Sequence, residues 1–182
     1  MVLLLPMNIW AQVDSVLFEW QPNGKLLTKE GNSFKVVDYE GKSSEILYKE
    51  LLSAASSLYN DPKSVISSVE NKIVSISACQ PLTWKVGGLL GTIGVNIHYV
   101  LKLHIKDNKV KVDAPYFTML SFSTGATQEN IEGWTKAQKF FNKDGSPSNK
   151  KGKRQFYLDI NSTFNELVNS LLNYNVNVEE DW

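Results

Sequence analysis

Few residues in this chain can do chemistry, and their spacing limits what that chemistry is. There are two histidines, His98 and His104, and a single cysteine, Cys79. An imidazole changes charge near neutral pH, so His98 is the natural proton-transfer group if the chain is an enzyme. The histidines fall on one side of one alternating stretch, and at the usual rise of a strand roughly 20 Å separates them. They cannot share a metal, and no cluster of carboxylates or cysteines is expected beside either, so no zinc site, other metal or cofactor is expected. Cys79 has no second cysteine to pair with inside the chain. It is a small apolar wall residue or a free thiol able to link two chains.

Other signatures fail on inspection. The run Gly87-Gly88-Leu89-Leu90-Gly91-Thr92-Ile93-Gly94 lacks the Gly-Lys-Ser/Thr ending of a phosphate loop and leads into a strand, so it reads as a hairpin connection. Triads are assembled in space, so spacing does not decide that case, but no nucleophile elbow is present. Acidic residues sit mostly in turns and at element ends, which does not support a glycosidase pair. Lys143, Lys150, Lys151, Lys153 and Arg154 are opposed only by Asp144, in a stretch containing Gly145, Pro147 and Gly152. That composition reads as a solvated loop, with an anion-attracting arm as its functional alternative.

The elements that position these residues are legible from periodicity. From Val95 to Lys106 the odd positions are apolar (Val95, Ile97, Tyr99, Leu101, Leu103, Ile105) and the even ones largely polar, including His98, Lys102 and His104. Side chains alternate across a sheet, so one face is core and the other is open, as in an antiparallel sheet covered on one side. Asp107-Asn108 suits a two-residue turn into a strand through Val110 and Val112. That register pairs Ile105 with Val110, Leu103 with Val112, Tyr99 with Tyr116, His98 with Phe117 and Lys102 with Asp113. Upstream, Asn71-Lys72 joins a strand 64–70 to one at 73–84, pairing Val69 with Val74 and Val65 with Ala78. Pro81 in that second strand donates no ladder hydrogen bond and marks a bulge, a strand end or an edge.

Two helices complete the unit. Ser43 or Ser44 caps one that carries Leu47, Leu51, Ala54, Ala55 and Leu58 on a stripe and stops at Asn60-Asp61-Pro62. The other opens on Thr163-Phe164-Asn165-Glu166, a capping box, with Phe164, Leu167, Val168, Leu171 and Leu172 on its stripe. Asn161-Ser162-Thr163 matches a glycosylation acceptor but is better explained by that cap. With a strand at 34–39, the order is strand, helix, four-strand meander, helix: an α+β antiparallel sheet with both helices on one face.

Formal net charge is zero, so no global field favours nucleic acid or an anionic membrane. Residues 1–11 are apolar around Pro6 and end at Ala11. They are too short for a membrane helix and resemble the end of a secretory signal peptide cut before Gln12. The division is then a signal-peptide remnant at 1–11, a strand or hairpin extension at 12–32, one α+β domain at 33–175 with an insert at 123–155, and an acidic tail at 176–182.

Glu45-Ile46-Leu47-Tyr48, Asp61-Pro62-Lys63-Ser64-Val65-Ile66 and the meander ending Leu101 to Lys109 carry a resemblance. Over residues 33–122 the chain resembles a bacterial secreted family described as a domain of unknown function with a TATA-binding-protein-like (TBP-like) fold. The resemblance implies that fold and brings no catalytic residues with it. It implies nothing about DNA, because function belongs to sites grafted on folds.

The functional expectation is a secreted or periplasmic, non-enzymatic binding module that uses its open sheet face. Cys79, His98, Lys102 and Phe117 are its ligand- or partner-binding residues, with Ile66, Pro115 and Met119 around them. An apolar centre with a polar border is the composition of a contact surface. The partner would be a protein, a glycan or another envelope component, or a second copy of the chain, with no nucleic acid and no transmembrane segment. Residues 123–143, with Trp134, Phe140 and Phe141, instead fold over that face if its apolar centre is a second core. The alternative is an enzyme with a site between the sheet and the 123–155 insert, using His98 for proton transfer.

Overall fold

The alternation of the stretch 95–106 survives in the fold as a strand with one dry side. Val95, Ile97, Tyr99, Leu101, Leu103 and Ile105 are at most 5% exposed, while Asn96, Lys102 and Lys106 are exposed. A computed structural model describes residues 15–86 and 91–174. The signal-like segment 1–11, the start expected at Gln12, Leu89 and Leu90, and the acidic tail 176–182 lie outside the described residues.

In chain order the elements are β1 (Glu19–Trp20), β2 (Leu26–Leu27), β3 (Phe34–Asp38), α1 (Ser44–Ser57), α2 (Pro62–Val65), β4 (Ile66–Val69), β5 (Ile73–Lys85), β6 (Thr92–Lys106), β7 (Lys109–Asp113), β8 (Tyr116–Phe122), β9 (Thr127–Gln128), α3 (Ile131–Ala137) and α4 (Lys151–Leu172). The main sheet is antiparallel in the order β3-β7-β6-β5-β4. β8 pairs with the first half of β6, on the same side as β7, and β9 adds to β8. The α+β order expected from sequence is present, with β1-β2, α2, β9 and α3 added to it.

Both long helices cover the dry face. The Ser43 hydroxyl accepts from the Ile46 N–H, and α1 buries Leu47, Leu51, Ala54 and Ala55. Helix α4 buries Phe156, Ile160, Phe164, Val168 and Leu171 at helical spacing. Phe164 meets Tyr99 at 5.1 Å and Phe117 at 4.8 Å between ring centroids.

Three local expectations are corrected. The β4–β5 turn is a residue longer than expected: Val69 pairs with Ile73 and Ile66 with Ile76, across Glu70-Asn71-Lys72. Asn71 takes the left-handed conformation at φ 57°, which asparagine tolerates. Lys72 is held instead by β6, its carbonyl accepting from the Ile105 N–H at 2.8 Å. Val65 closes the short helix α2 and does not pair with Ala78, while Ile66 turns to the core side and Val69 to the open side.

The register after β7 also slips. The pairing runs as expected from Lys106↔Lys109 to Leu103↔Val112, then breaks at Asp113-Ala114-Pro115. Pro115 is buried and has no N–H to give, and Ala114 donates to Ser33 instead of to β6. β8 rejoins β6 one residue out of step, with Tyr99↔Phe117, and a bulge at Thr118 shifts it again to His98↔Met119. Phe117 therefore points into the core, while Tyr116, expected inside, is 61% exposed.

The third correction is the start of α4, twelve residues before the expected cap. Its first residues have no side-chain cap, and Gly152 lies where an added Cβ would be 2.1 Å from the Lys85 carbonyl oxygen. The glycine that read as a loop is a close approach of helix to strand. Thr163 and its neighbours are mid-helix, so neither the capping box nor the cap explanation of Asn161 holds.

The asparagines that suggested a cap do other work. Asn161, Asn165 and Asn169, one helical turn apart, accept from the backbone N–H groups of Trp20, Phe18 and Val16 at 2.8–2.9 Å. Asn165 and Asn169 also donate to the carbonyls of Phe18 and Val16. Alternate residues of an extended chain and every fourth residue of a helix advance by about 6–7 Å, so the two ladders stay in step. The arm 16–20 is stitched along α4, with Val16, Phe18 and Trp20 all at most 1% exposed.

Residues 123–143 join this side of the sheet and do not cover its open face. Trp134 of α3 and Phe140 pack with Trp20, Trp84 and Phe156 at centroid distances of 5.0–6.5 Å. One aromatic cluster thus ties α3, the arm, the end of β5 and the start of α4 together.

Two outcomes follow from these faces. Leu101→Asp places an unpaired charge at a fully buried position and should unfold the chain, since the penalty rivals a whole domain's stability of about 5–15 kcal/mol. Lys102→Asp should leave the melting temperature nearly unchanged; equal shifts for the two would refute the assigned faces. Asn165→Ala orphans the Phe18 N–H and carbonyl and should cost about 1–3 kcal/mol per group left unsatisfied. Exposed Glu166→Ala should stay within about 0.5 kcal/mol. Denaturant unfolding reads both, and hydrogen exchange at Phe18 should rise only in the Asn165 variant.

Candidate functional site

With the helices, α3 and the arm on one side, the open side of the sheet is built from side chains that alternation turns away from the core. Register sets them in rows across the strands. His104 pairs with Lys111 on one side and Ile73 on the other, and Val100 with Tyr116 and Ser77. His98 pairs with Met119 and Cys79. These rows exist because β6 bonds to β5 on one edge and to β7 and then β8 on the other.

Three of the four residues expected here are on this face. Cys79 and Lys102 are exposed, and His98, directly opposite Cys79 and four residues before Lys102 on β6, is half-buried. His98 Nε2 is 3.2 Å from the Ser121 hydroxyl and 4.0 Å from Cys79 Sγ. Partial desolvation by the neighbouring strands pushes the Cys79 thiol up, away from the thiolate form of a reactive cysteine. Phe117 is the exception: at 5% exposure it packs on Phe164, and Tyr116 takes the aromatic position on the open side. The slip at Pro115 is the physical cause, and Ile66 and Pro115 leave the face for related reasons.

His104 has the carboxylate partner that the expected register gave to Lys102. Asp113 Oδ2 lies 2.8 Å from His104 Nε2 and Oδ1 2.9 Å from Lys111 Nζ. Partial burial alone would raise the Asp113 carboxyl, but hydrogen bonds and charge from Lys111 and His104 outweigh it and hold the group below the usual carboxylate range. The Lys111 ammonium also sits over the Phe34 ring, 5.3 Å from its centroid.

The remaining candidates fall elsewhere. Lys151, Lys153 and Arg154 belong to the first turns of α4, not to a loop. Lys153 bonds the Gln138 carbonyl at the end of α3, and burial with neighbouring Lys150 and Lys139 lowers its ammonium. It is a fastener between helices. The end of the glycine-rich run closes a hairpin, Val86 N–H donating to Gly91 at 3.0 Å and Lys85 pairing with Thr92. The 123–155 insert lies across the sheet from His98, so the two do not enclose a common site. Among the described residues no three His, Cys, Asp or Glu side chains converge on one point, and no helix is long and apolar enough to cross a membrane.

No family model and no curated protein sequence matches the chain. Solved structures do. A DUF4468 family protein from Bacteroides ovatus is similar with a TM-score of 0.54 at 13% identity, over 81% of this chain and 87% of that one. A TBP-like protein from Parabacteroides distasonis gives a TM-score of 0.49 at 14% identity, over 78% of this chain and 92% of that one. At such identities likeness is a statement about fold. The chain has the α+β antiparallel-sheet fold of a domain of unknown function, as the resemblance in residues 33–122 implied.

Proposed function

We propose that the chain is a secreted or periplasmic, non-enzymatic binding module whose open sheet face receives an envelope partner, protein or glycan. The observation that carries this reading is the distribution of exposed apolar side chains. Of the eight large hydrophobics exposed among the described residues, four, Phe34, Val36, Val69 and Tyr116, stand on that one face by register. Phe34 and Val36 stand on edge strand β3, Val69 on edge strand β4 and Tyr116 beside β6, with Lys111, His104 and Lys102 on the strands between them. Single exposed hydrophobics need no explanation, whereas four on one face interleaved with charged groups make a mixed contact surface. Phe34 and Tyr116 offer rigid area at little entropy cost, and Cys79, His98 and Lys102 add polar contacts between β5 and β6.

The apolar segment 1–11 supports export. The mature protein should begin at Gln12 when the gene is expressed in a bacterial host with an envelope, as read by mass spectrometry. Mature chain used as bait on an envelope fraction should retain a discrete species. Phe34→Ser with Tyr116→Ser should lose at least about tenfold of that capture, as hot-spot aromatics do, with melting temperature preserved. Ile46→Ser, exposed on α1, should capture normally. Equal capture by all three chains would refute the face, and an intact Met1 on a cytosolic protein would refute export.

A further inference from the structure

Cys79, His98 and Met119 stand in one row across three neighbouring strands. His98 of β6 is the register partner of Cys79 in β5 and of Met119 in β8. Alternation turns all three toward the open side, since Ala78, Ile97 and Leu120 next to them pack into the core. A thiol, an imidazole and a thioether are thus held side by side on a rigid, hydrogen-bonded part of the fold. A thioether is a ligand that a count of His, Cys, Asp and Glu passes over.

We propose that this row is a binding site for a soft monovalent metal ion of the Cu(I) type, ligated by Cys79 Sγ, His98 Nε2 and Met119 Sδ. The separation of the first two donors supports it. With bonds of about 2.3 Å to sulfur and about 2.05 Å to nitrogen, a tetrahedral ion spaces the donors about 3.5 Å apart and a linear one about 4.35 Å. The observed 4.0 Å lies between these, as for an ion of two or three ligands. Thiolate, thioether and imidazole donors select Cu(I) over hard cations, which take oxygen.

The remaining contact at the imidazole is the Ser121 hydroxyl, 3.2 Å from the same Nε2, which gives way as the ion arrives. Binding replaces the thiol S–H bond with a sulfur–metal bond and releases one proton per ion, leaving a neutral thiolate–metal unit. No change of oxidation state is involved. Lys102, four residues along β6, is roughly 13 Å away and does not oppose the charge of the ion. The site shares its face with the proposed partner surface, yet ion binding needs no partner and the capture variants above leave all three ligands in place.

The test is titration of the reduced full chain with Cu(I) under nitrogen, in competition with the chromogenic chelator bicinchoninate. One ion per chain should bind, with ultraviolet sulfur-to-copper charge transfer and one proton released. Cys79→Ser and His98→Ala should each weaken binding by roughly a hundredfold and Met119→Leu by roughly tenfold, all three chains melting as the native one does. Metal retention equal in the native and Cys79→Ser chains would overturn the site, as would binding indifferent to His98→Ala. A stoichiometry of one ion per two chains would overturn the row in favour of a bridge between copies, and equal competition by Zn(II) would overturn the soft-ion assignment. Loss of ion binding in a chain that still captures its partner would leave the partner reading standing.

Discussion

Strand β6 is the constraint on which the rest depends. It is bonded along one edge by β5 and along the other by β8 and then β7, so nearly every backbone group in it is committed. A strand with two satisfied edges can bury side chains only on its faces, and its odd residues commit one face to the interior. A shift of one residue would exchange Leu101 with Lys102 and lose the core at once. The helices α1 and α4 are where they are because that face must be covered.

Covering a curled sheet with two helices leaves a seam, and the chain closes it in two ways. Along α4 the arm 16–20 pairs with β2 only through Glu19 and Trp20, and asparagine side chains supply donors and acceptors along the edge that faces the helix. At the end of β5 the seam is filled by rings, with Trp20, Trp84, Trp134, Phe140 and Phe156 meeting in tilted and edge-on contacts. The indole N–H groups of Trp20 and Trp84 are buried there with no oxygen or nitrogen partner. The cluster therefore rests on area more than on polar satisfaction.

Both closures lie on the helix side, and among the described residues none covers the other face of the sheet. With zero formal net charge, recognition there falls to local arrangement and not to long-range attraction. The face has two kinds of neighbourhood. Around β3 and β7 it is charged and self-paired, with Asp113 held between Lys111 and His104. Around β5, β6 and β8 it is soft and apolar, with Cys79, His98, Met119 and Tyr116. Fold likeness does not say what either receives, so the chemistry of these rows is the ground for function.

Periodicity alone determined the dry face of β6, the hairpin at Asp107-Asn108, helix α1 with its cap, and the side to which Cys79, His98 and Lys102 point. Each is a local property, set by alternation, turn preference or a capping hydroxyl within a few residues. Tertiary structure decided the rest. Phe117 went inside because buried Pro115 cannot continue the ladder, and a single missing donor reset the phase of β8. The start of α4 was hidden because Gly152 answers to the Lys85 carbonyl, which is remote in sequence. The asparagine ladder had a trace, Asn at four-residue spacing in a helix that asparagine disfavours, but its meaning required the arm 141 to 153 residues away. Alternation tells which way a side chain points; only packing between distant segments tells what it meets.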